Sequence, residues 1–203
     1  MDYISLNVPY DKKSMEFKIA RKNLAGVLKN GAAEYIPLRK ETELVEESLD
    51  HPIGSAKLEQ LARGKKNIVI ISSDHTRPVP SQKIMPILLR RIRSVSPEAQ
   101  ITILVATGFH RASTQEELIA KYGREIVENE RIVVHRSMED DAMVQIGTLP
   151  SGGPCILNRL AVEADLLISE GFIESHFFAG YSGGRKSVLP GVASYKTIMA
   201  NHC

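Results

Sequence analysis

Cysteine is scarce in this chain, and long apolar runs are missing. The two cysteines, Cys155 and Cys203, form neither a disulfide framework nor a closely spaced metal-binding pair. No apolar run approaches the roughly 18 residues that a membrane-spanning helix needs. The sequence therefore excludes a disulfide-stabilised scaffold and an integral membrane helix.

A strong excess of either charge is also missing. The 203 residues carry a formal net charge of +2, so neither a nucleic-acid surface nor a polybasic membrane face is expected. The N-terminal residues, Met1 to Ile4, do not read as a signal peptide. Together these features predict a cytoplasmic protein with no nucleic-acid partner and no membrane association.

Apolar runs and helical patterns alternate along most of the chain. Residues 3–19 alternate in polarity about a turn at 9–13, which predicts an N-terminal β-hairpin. Strand–helix alternation further on predicts an α/β fold, a mostly parallel sheet with helices on both faces in a Rossmann-like arrangement. The predicted strands cover residues 67–72, 100–106, 131–135 and 165–169, with extended pieces at 143–148 and 154–157. The predicted helices cover residues 41–48, 55–63, 81–93, 114–122 and 193–199, and residues 23–34 are a connection or a short helix.

A glycine-rich segment, residues 171–191, follows the last predicted strand. A strand that runs into such a loop and then into a helix is how α/β proteins build anion and cofactor sites, because glycine lets backbone N–H groups approach a ligand. The segment also carries a candidate base, His176, and a candidate nucleophile, Lys186. Its glycines match the P-loop pattern only loosely, so a nucleotide-triphosphatase is a weak interpretation.

Polar clusters end three of the predicted strands, at residues 74–77, 107–111 and 174–186. The carboxyl ends of parallel strands meet at one edge of a sheet, and ligands bind beyond that edge. We therefore expect the three clusters to lie together.

Two side chains in these clusters have a functional and a structural interpretation. Arg77 could bind a substrate carboxylate through a bidentate pair of hydrogen bonds, or it could form an ion pair with Asp74. His110 could act as a general base, or it could be an ordinary loop histidine. His51 and His135 are expected to be ordinary surface or loop histidines, and the role of His75 stays open.

The motifs in and around these clusters are distinctive as a set. They are Asp74-His75-Thr76-Arg77-Pro78, Gly108-Phe109-His110-Arg111, Gly171-Phe172-Ile173-Glu174-Ser175-His176, Ala179-Gly180-Tyr181-Ser182-Gly183-Gly184-Arg185-Lys186, Pro190-Gly191 and Asn201-His202. Together they resemble the nickel-pincer lactate racemase family, specifically its N-terminal domain. The resemblance covers essentially the whole chain from about residue 5 onward.

The resemblance implies a cofactor and the residues that hold it. The family's cofactor is the nickel-pincer nucleotide, a nickel pyridinium-3-thioamide-5-thiocarboxylic acid mononucleotide. By the resemblance, Lys186 forms the covalent thioamide link, with Gly183 and Gly184 in the same loop. The histidine that completes the nickel coordination matches His202. Imidazole is a fitting nickel ligand.

The resemblance also implies a reaction, the racemisation or epimerisation of a small 2-hydroxy acid such as lactate. Hydride passes from the substrate C2 to the cofactor and back, which avoids a carbanion. Two histidines serve as proton acceptor and donor, and they match His110 and His176. The arginine that orients the substrate carboxylate matches Arg77, with Asp74 supporting it.

The length of the chain departs from the family pattern. Family members are about twice as long, and a second domain closes over their cofactor. Residues 1–203 are therefore expected to be the N-terminal domain of a longer lactate racemase-like isomerase, matured with the help of cofactor-synthesis enzymes. The alternative is a non-catalytic nucleotide- or anion-binding module, which would keep the glycine-rich loop but have no use for two histidines. A purely structural domain would not carry three polar clusters at strand ends.

Overall fold

The computed structural model describes residues 2–28, 31–176 and 179–202. The chain divides into two compact units, Met1–Leu38 and Arg39–Cys203. Cys155 is a free cysteine, whereas Cys203 lies outside the described residues. None of the described helices combines the length and the apolar character that crossing a bilayer requires.

The N-terminal unit is built on an antiparallel hairpin of β1 (Tyr3–Tyr10) and β2 (Lys13–Ala20). Alternation places apolar residues opposite each other on one face, for example Leu6 opposite Phe17, and such cross-strand pairs stabilise a hairpin. The predicted N-terminal hairpin is thus confirmed. Two short 3-10 turns, Arg21–Asn23 and Gly31–Glu34, follow it.

The second unit alternates helices and strands. Its strands are β3 (Asn67–Ser73), β4 (Gln100–Ala106), β5 (Arg131–Val134), β6 (Met143–Thr148), β7 (Pro154–Asn158), β8 (Leu166–Glu170), β9 (Ser175–His176) and β10 (Gly180–Tyr181). Its helices are α1 (Glu41–Asp50), α2 (Leu58–Ala62), α3 (Ser81–Arg93), α4 (Gln115–Tyr122), α5 (Arg124–Asn129), α6 (Arg159–Val162) and α7 (Tyr195–His202), and 3-10 turns occupy Asp140–Ala142 and Gly184–Ser187.

A four-stranded parallel sheet in the order β5–β4–β3–β8 forms the centre of this unit. On the central strand β3, Ile70 pairs with Ile103 of β4 on one side and with Ile168 of β8 on the other. All four strands run in the same direction, so their carboxyl ends meet at one edge. β6 with β7, and β9 with β10, form separate antiparallel pairs. The predicted α/β class with a mostly parallel sheet is confirmed.

One face of the sheet packs against helices α2 to α5. Alternate strand residues such as Ile68 and Ile70 are completely buried there, as expected for a strand covered on both faces. Each fully buried side chain of this size contributes roughly 1.5–3 kcal/mol. Their helical partners include Leu58, Met85, Leu88, Leu89, Ile92, Leu118, Tyr122 and Ile126.

The opposite face is covered more thinly, by the single-turn helix α6 and by the segment that follows the glycine-rich loop. Both faces therefore carry helical cover, as predicted, although only one carries long helices. The buried residues on this side are Val69, Ile71, Leu104, Ala161 and Val192, and a further cluster of Leu157, Ala193 and Ile198 joins β7 to α7.

Four helices differ from the sequence prediction, and α6 is one that the prediction did not contain. α2 begins at Leu58 rather than at Ser55, whose hydroxyl donates to the Ala56 carbonyl instead of capping a helix. α5 is absent from the prediction. It starts after Gly123, whose φ of 87° ends α4 and redirects the chain. α7 begins at Tyr195 rather than at residue 193, because the Ser194 N–H donates to the Ile156 carbonyl on β7.

His135, which follows β5, is 1% exposed. Its Nε2 lies 3.0 Å from the Ala193 carbonyl, and its Nδ1 lies 3.1 Å from the Asn158 side-chain amide nitrogen. The carbonyl can only accept and the amide nitrogen can only donate, so the ring is a neutral imidazole with its proton on Nε2. Burial lowers the pKa of His135, and the bond to Ala193 offsets this only in part. His135 follows a strand, as predicted, but it is a buried structural residue rather than a surface one, because both ring nitrogens have partners in the protein.

We expect His135 to make the fold less stable in mild acid. Its folded-state pKa lies below the unfolded value of about 6.5, so below that pH the unfolded chain binds a proton that the folded chain resists. The cost is absent well above the unfolded pKa and grows as the pH falls below it. Urea unfolding at about pH 7 and about pH 5.5 should show a smaller acid loss in His135→Gln than in the wild type.

The exposed His51 provides the matched control, because its substitution should leave the acid loss at the wild-type value. The same acid loss in His135→Gln, His51→Gln and the wild type would contradict the assignment of a neutral buried imidazole.

Candidate functional site

A cleft of about 260 Å³ lies at the carboxyl edge of the parallel sheet. The loops that follow β3, β4 and β8 all contribute to it, so the three polar clusters do lie together. The structure brings Arg77, Asp74, His110, His176, Gly183, Lys186 and His202 to this one cleft. Gly184, the remaining predicted residue, is the immediate neighbour of Gly183 in the loop.

His110 is held by a buried carboxylate. Its Nδ1 lies 2.6 Å from Oδ2 of Asp74, which is 2% exposed. The other oxygen, Oδ1, accepts hydrogen bonds from the Thr76 N–H (3.0 Å) and hydroxyl (2.6 Å). Burial opposes the charge on Asp74, but the bonds from Thr76 and His110 outweigh it, and the pKa of the carboxyl lies below its ordinary value.

An ionised carboxylate accepts hydrogen bonds and cannot donate them. The proton of neutral His110 is therefore on Nδ1, and the lone pair is on Nε2. A histidine held in this way is suited to accept a proton at Nε2, with Asp74 stabilising the imidazolium that forms.

His176 is held in the opposite tautomer. The Ala179 N–H donates to its Nδ1 over 3.3 Å, so in the neutral ring the proton is on Nε2. Burial lowers the pKa of His176, and the nearby charges of Lys186 and Arg77 lower it further, which favours the neutral ring. The cleft thus combines one histidine arranged to accept a proton at Nε2 and another arranged to donate one.

Arg77 lines the cleft with weak contacts to the protein. Its Nε lies 3.9 Å from Glu174 Oε1, and its Nη1 lies 3.5 Å from the Thr76 hydroxyl. The Arg77–Asp74 ion pair that the sequence left open is not the arrangement found, because the Asp74 carboxylate bonds His110 and Thr76. At these lengths a bidentate substrate carboxylate would be the stronger partner for the guanidinium.

The glycine-rich loop turns at Gly183 and Gly184, which have φ values of 74° and 54°. A β-carbon on Gly183 would lie 2.8 Å from the Phe172 carbonyl oxygen, too close for any other residue. The Ser182 hydroxyl secures the turn, since it donates to the Phe172 carbonyl (3.0 Å) and accepts from the Glu174 N–H (3.3 Å). The turn therefore requires glycine at Gly183, because the backbone passes close to Phe172 in a conformation that other residues rarely adopt.

Lys186 lies in the 3-10 turn that follows these glycines. Burial lowers its pKa, the charge of Arg77 lowers it further, and Glu174 acts in the opposite direction. A lysine amine must lose its proton before it can attack an acyl carbon. A lowered pKa increases the reactive fraction, so the site suits a covalent attachment at Lys186.

His202 is in the last turn of α7, where its Nδ1 lies 2.7 Å from the Ile198 carbonyl oxygen. The carbonyl can only accept, so the proton is on Nδ1 and the lone pair is on Nε2. Histidines that bind metals commonly donate their other ring N–H in this way. Within the described ranges no group of three or more His, Cys, Asp or Glu side chains could hold a metal ion.

Sequence reasoning identified these side chains but missed how they pair. The Asp74–His110 bond joins two loops 36 residues apart, and Glu174 was not expected beside Arg77. Both pairings follow from the neighbouring positions of β3, β4 and β8, which the strand runs alone do not specify. His75 lies outside the cleft, with its Nδ1 3.0 Å from the Ser113 hydroxyl.

Comparison with known proteins identifies the family. Residues 10–203 match the family model described as the lactate racemase N-terminal domain. The chain is 68% identical over 199 residues to a lactate racemase of Lactiplantibacillus plantarum, and 53% identical over 199 residues to that of Thermoanaerobacterium thermosaccharolyticum. These matches cover 98% of the chain but 47% of each relative, so the chain spans about half the length of the curated relatives it matches.

Solved structures give the same result. The lactate racemase apoprotein of T. thermosaccharolyticum superposes with a TM-score of 0.89 at 52% identity, covering 98% of this chain and 46% of that one. A Thermotoga maritima protein superposes with a TM-score of 0.64 at 26% identity, covering 79% of this chain and 40% of that one. The family model and the two curated relatives lead to one assignment: the chain belongs to the lactate racemase N-terminal domain family.

Proposed function

We propose that this chain is the catalytic N-terminal part of an isomerase that racemises a small 2-hydroxy acid, lactate or a close analogue. The observation that carries the proposal is that His110 and His176 line one cleft in opposite tautomers. Interconversion of two enantiomers requires proton transfer on either side of the substrate, which a pair of histidines provides. A non-catalytic binding module, the alternative, has no need of such a pair.

Arg77 would bind the substrate carboxylate and so fix the position of the neighbouring C2 and its hydroxyl. His110 Nε2 would take the hydroxyl proton as C2 is oxidised, and Asp74 would stabilise the resulting imidazolium. His176, with its proton on Nε2, would donate when the carbonyl is reduced again. In the opposite direction the two histidines would exchange these tasks, as microscopic reversibility requires. Positioned acid–base groups of this kind typically contribute 10²–10⁴-fold to a rate.

The cofactor that this reaction needs is the nickel-pincer nucleotide, and the residues present fit it. When bound, it would supply a hydride acceptor and donor for the substrate C2. Lys186 would carry the covalent link, Gly183 and Gly184 would line its cradle, and His202 Nε2 would complete the nickel coordination. Cofactor-synthesis enzymes are the partners that such a group demands. Since the curated relatives are about twice as long, a second half like theirs would close the cleft and complete the substrate site.

Coexpression with the cofactor-synthesis enzymes tests the proposal directly. We expect the intact mass of the chain to increase by the mass of the cofactor, with the modified peptide containing Lys186. Nickel should be present at about one equivalent per modified chain, because His202 would be its single protein ligand. The Lys186→Arg variant, which keeps the charge but lacks the amine, should show neither the added mass nor nickel.

Two variants separate the covalent link from the metal ligand. His202→Ala should keep the added mass on Lys186 and lose most of the nickel. His51→Ala, a substitution of an exposed histidine away from the cleft, should keep both. Cofactor attachment could require residues like those of the relatives' second half, so the measurement is repeated on a chimera that joins residues 1–203 to the second half of the L. plantarum relative. An unmodified chimera would overturn the proposal.

A further inference from the structure

A second group of polar side chains is buried behind the Asp74–His110 pair, and the proposed reaction does not use it. Ser72 and Glu170 are register partners on β3 and β8, and they are 0% and 5% exposed. The Ser72 hydroxyl donates a hydrogen bond to Glu170 Oε2. Lys121 and Tyr122 approach from α4, and Tyr122 is 2% exposed. The group thus joins three elements beneath the cleft.

Two charged atoms in this group are left without hydrogen bonds. The Lys121 ammonium nitrogen and Glu170 Oε1 are both buried, and neither has a hydrogen-bond partner in the described part of the chain. The Lys121 nitrogen lies 5.9 Å from the centre of the Tyr122 ring. Leaving charged groups buried and incompletely paired opposes folding. A fold that retains them here therefore points to a role for their charges.

This group lies next to the cleft, because Asp74 comes two residues after Ser72, and Gly171, which directly follows Glu170, lines the cleft. Burial lowers the pKa of Lys121, and the carboxylates of Glu170 and Asp74 are the two charges that oppose this. Burial raises the pKa of Tyr122, and the same two carboxylates raise it further. Asp74, Glu170 and Lys121 are therefore electrostatically coupled in a region with little solvent, where such interactions are strong.

The remaining charges near Asp74 and His110 lie on the cleft side or at the surface. They are Arg111 beside His110, Arg77 and Glu174 at the cleft mouth, His176 and Lys186 in the glycine-rich loop, and His202 on α7. Lys121 of α4 is thus a cation on the buried side of the Asp74–His110 pair, opposite the charges that line the cleft.

We propose that Lys121 and Glu170 are positioning residues that balance the electric field at the Asp74–His110 pair and so keep His110 able both to accept and to release a proton. A buried carboxylate makes an attached imidazole hold its proton more tightly. A base that must also return the proton works best when its proton affinity matches the working pH. The positive charge of Lys121 weakens the stabilisation that the Asp74 carboxylate gives to the protonated His110 ring. The negative charge of Glu170 partly cancels this effect of Lys121.

The charges of opposite sign give the proposal a directional test. Lys121→Met removes a positive charge, so the pH midpoint of the His110 ring signals should rise by about half a unit or more. Glu170→Gln removes a negative charge with almost no change of shape, so the midpoint should fall by a similar amount. The double variant should return toward the wild-type midpoint, and Lys121→Arg should preserve it.

These midpoints can be measured on this 203-residue chain by NMR titration of ¹⁵N-labelled histidine, with His110 assigned from the signal lost in His110→Asn. Lys83→Met is the matched control, because it changes the net charge equally but removes an exposed ammonium that pairs with Glu41. Its His110 midpoint should stay at the wild-type value. Should Lys121→Met not fold, Lys121→Gln carries the same test, with circular dichroism as the check.

Unchanged midpoints in both charge variants would overturn the inference, and so would shifts of the same sign, which a loosened structure would produce. The catalytic consequence rests on the proposed function, but the titration does not. Opposite midpoint shifts in a chain that never acquires the cofactor would reject the proposed function and retain the charge balance. Cofactor loading without midpoint shifts would retain the proposed function and reject the charge balance.

Discussion

Replacement of His110 by asparagine is expected to lower the racemisation rate by about 10²–10⁴-fold, the usual contribution of a positioned general base. Asparagine retains a polar side chain of similar size but cannot take a proton from the substrate hydroxyl. The loss should appear in kcat rather than in KM, because Arg77 would still hold the substrate carboxylate. The measurement uses the chimera with the second half of the L. plantarum relative, with nickel quantified on each sample.

Asp74→Asn should produce a loss of similar size without removing His110. The asparagine amide can donate to Nδ1, which would move the imidazole proton to Nε2 and remove the lone pair that accepts from substrate. His51→Asn, the matched control away from the cleft, should keep the full rate. A loss of less than about tenfold in His110→Asn at full nickel content would contradict the role of His110 as a base.

Gly191→Ala is expected to be the most damaging small substitution in the loop region. An added β-carbon would overlap the backbone carbonyl of Ser187, and it would lie 3.0 Å from the Lys186 carbonyl oxygen. Gly191 also ties the two sides of the cleft together, because its N–H donates to Lys186 and its carbonyl accepts from the Gly108 N–H at 2.9 Å. Because the obstacle is backbone, relief of the overlap must displace the Lys186 turn.

We expect Gly191→Ala to destabilise the fold by about 1–3 kcal/mol, the usual cost of overpacking, and to reduce cofactor attachment at Lys186. Urea unfolding measures the first effect, and intact mass after coexpression measures the second. Gly147→Ala on β6 is the control, because no atom lies within 4 Å of its added β-carbon. Equal stability of the two variants would show that the loop accommodates the methyl group.

The sheet and its site edge could be predicted from the sequence because their signals are local. Runs such as 67–72 and 100–106 are apolar throughout, which is typical of strands buried on both faces. The polar residues that follow each run then share one edge by the geometry of parallel strands. The motifs added the identity of the family, which no count of charges or helices would have supplied.

Side-chain pairs between residues of different strands could not be predicted from the sequence, because they depend on the order of the strands and on burial. Nothing near Asp74 in the sequence indicates that its carboxylate meets His110 rather than Arg77. In the sequence, Glu170 looks like a polar residue at the end of a strand, and Lys121 looks like an exposed residue at the end of a helix. In the structure the Glu170 carboxylate and the Lys121 ammonium group are both buried. α5 was missed because Gly123 looks like the start of a loop, although its positive φ only redirects the chain into another short helix.

The central position of β3 has a consequence for the order in which the protein is made and matured. β3 pairs with β8, and Ser72 and Glu170 in that pair are 98 residues apart along the chain. Chains emerge from the ribosome N-terminus first, so Asp74, Arg77 and His110 are synthesised well before the segment that carries Lys186 and His202. Until β8 joins the sheet, the cleft has only the side formed by the residues that follow β3 and β4. Contacts between residues so distant in sequence are expected to form late in folding. A partner that recognises the completed cleft would thus bind only finished domains, and partly synthesised or misfolded chains would escape it.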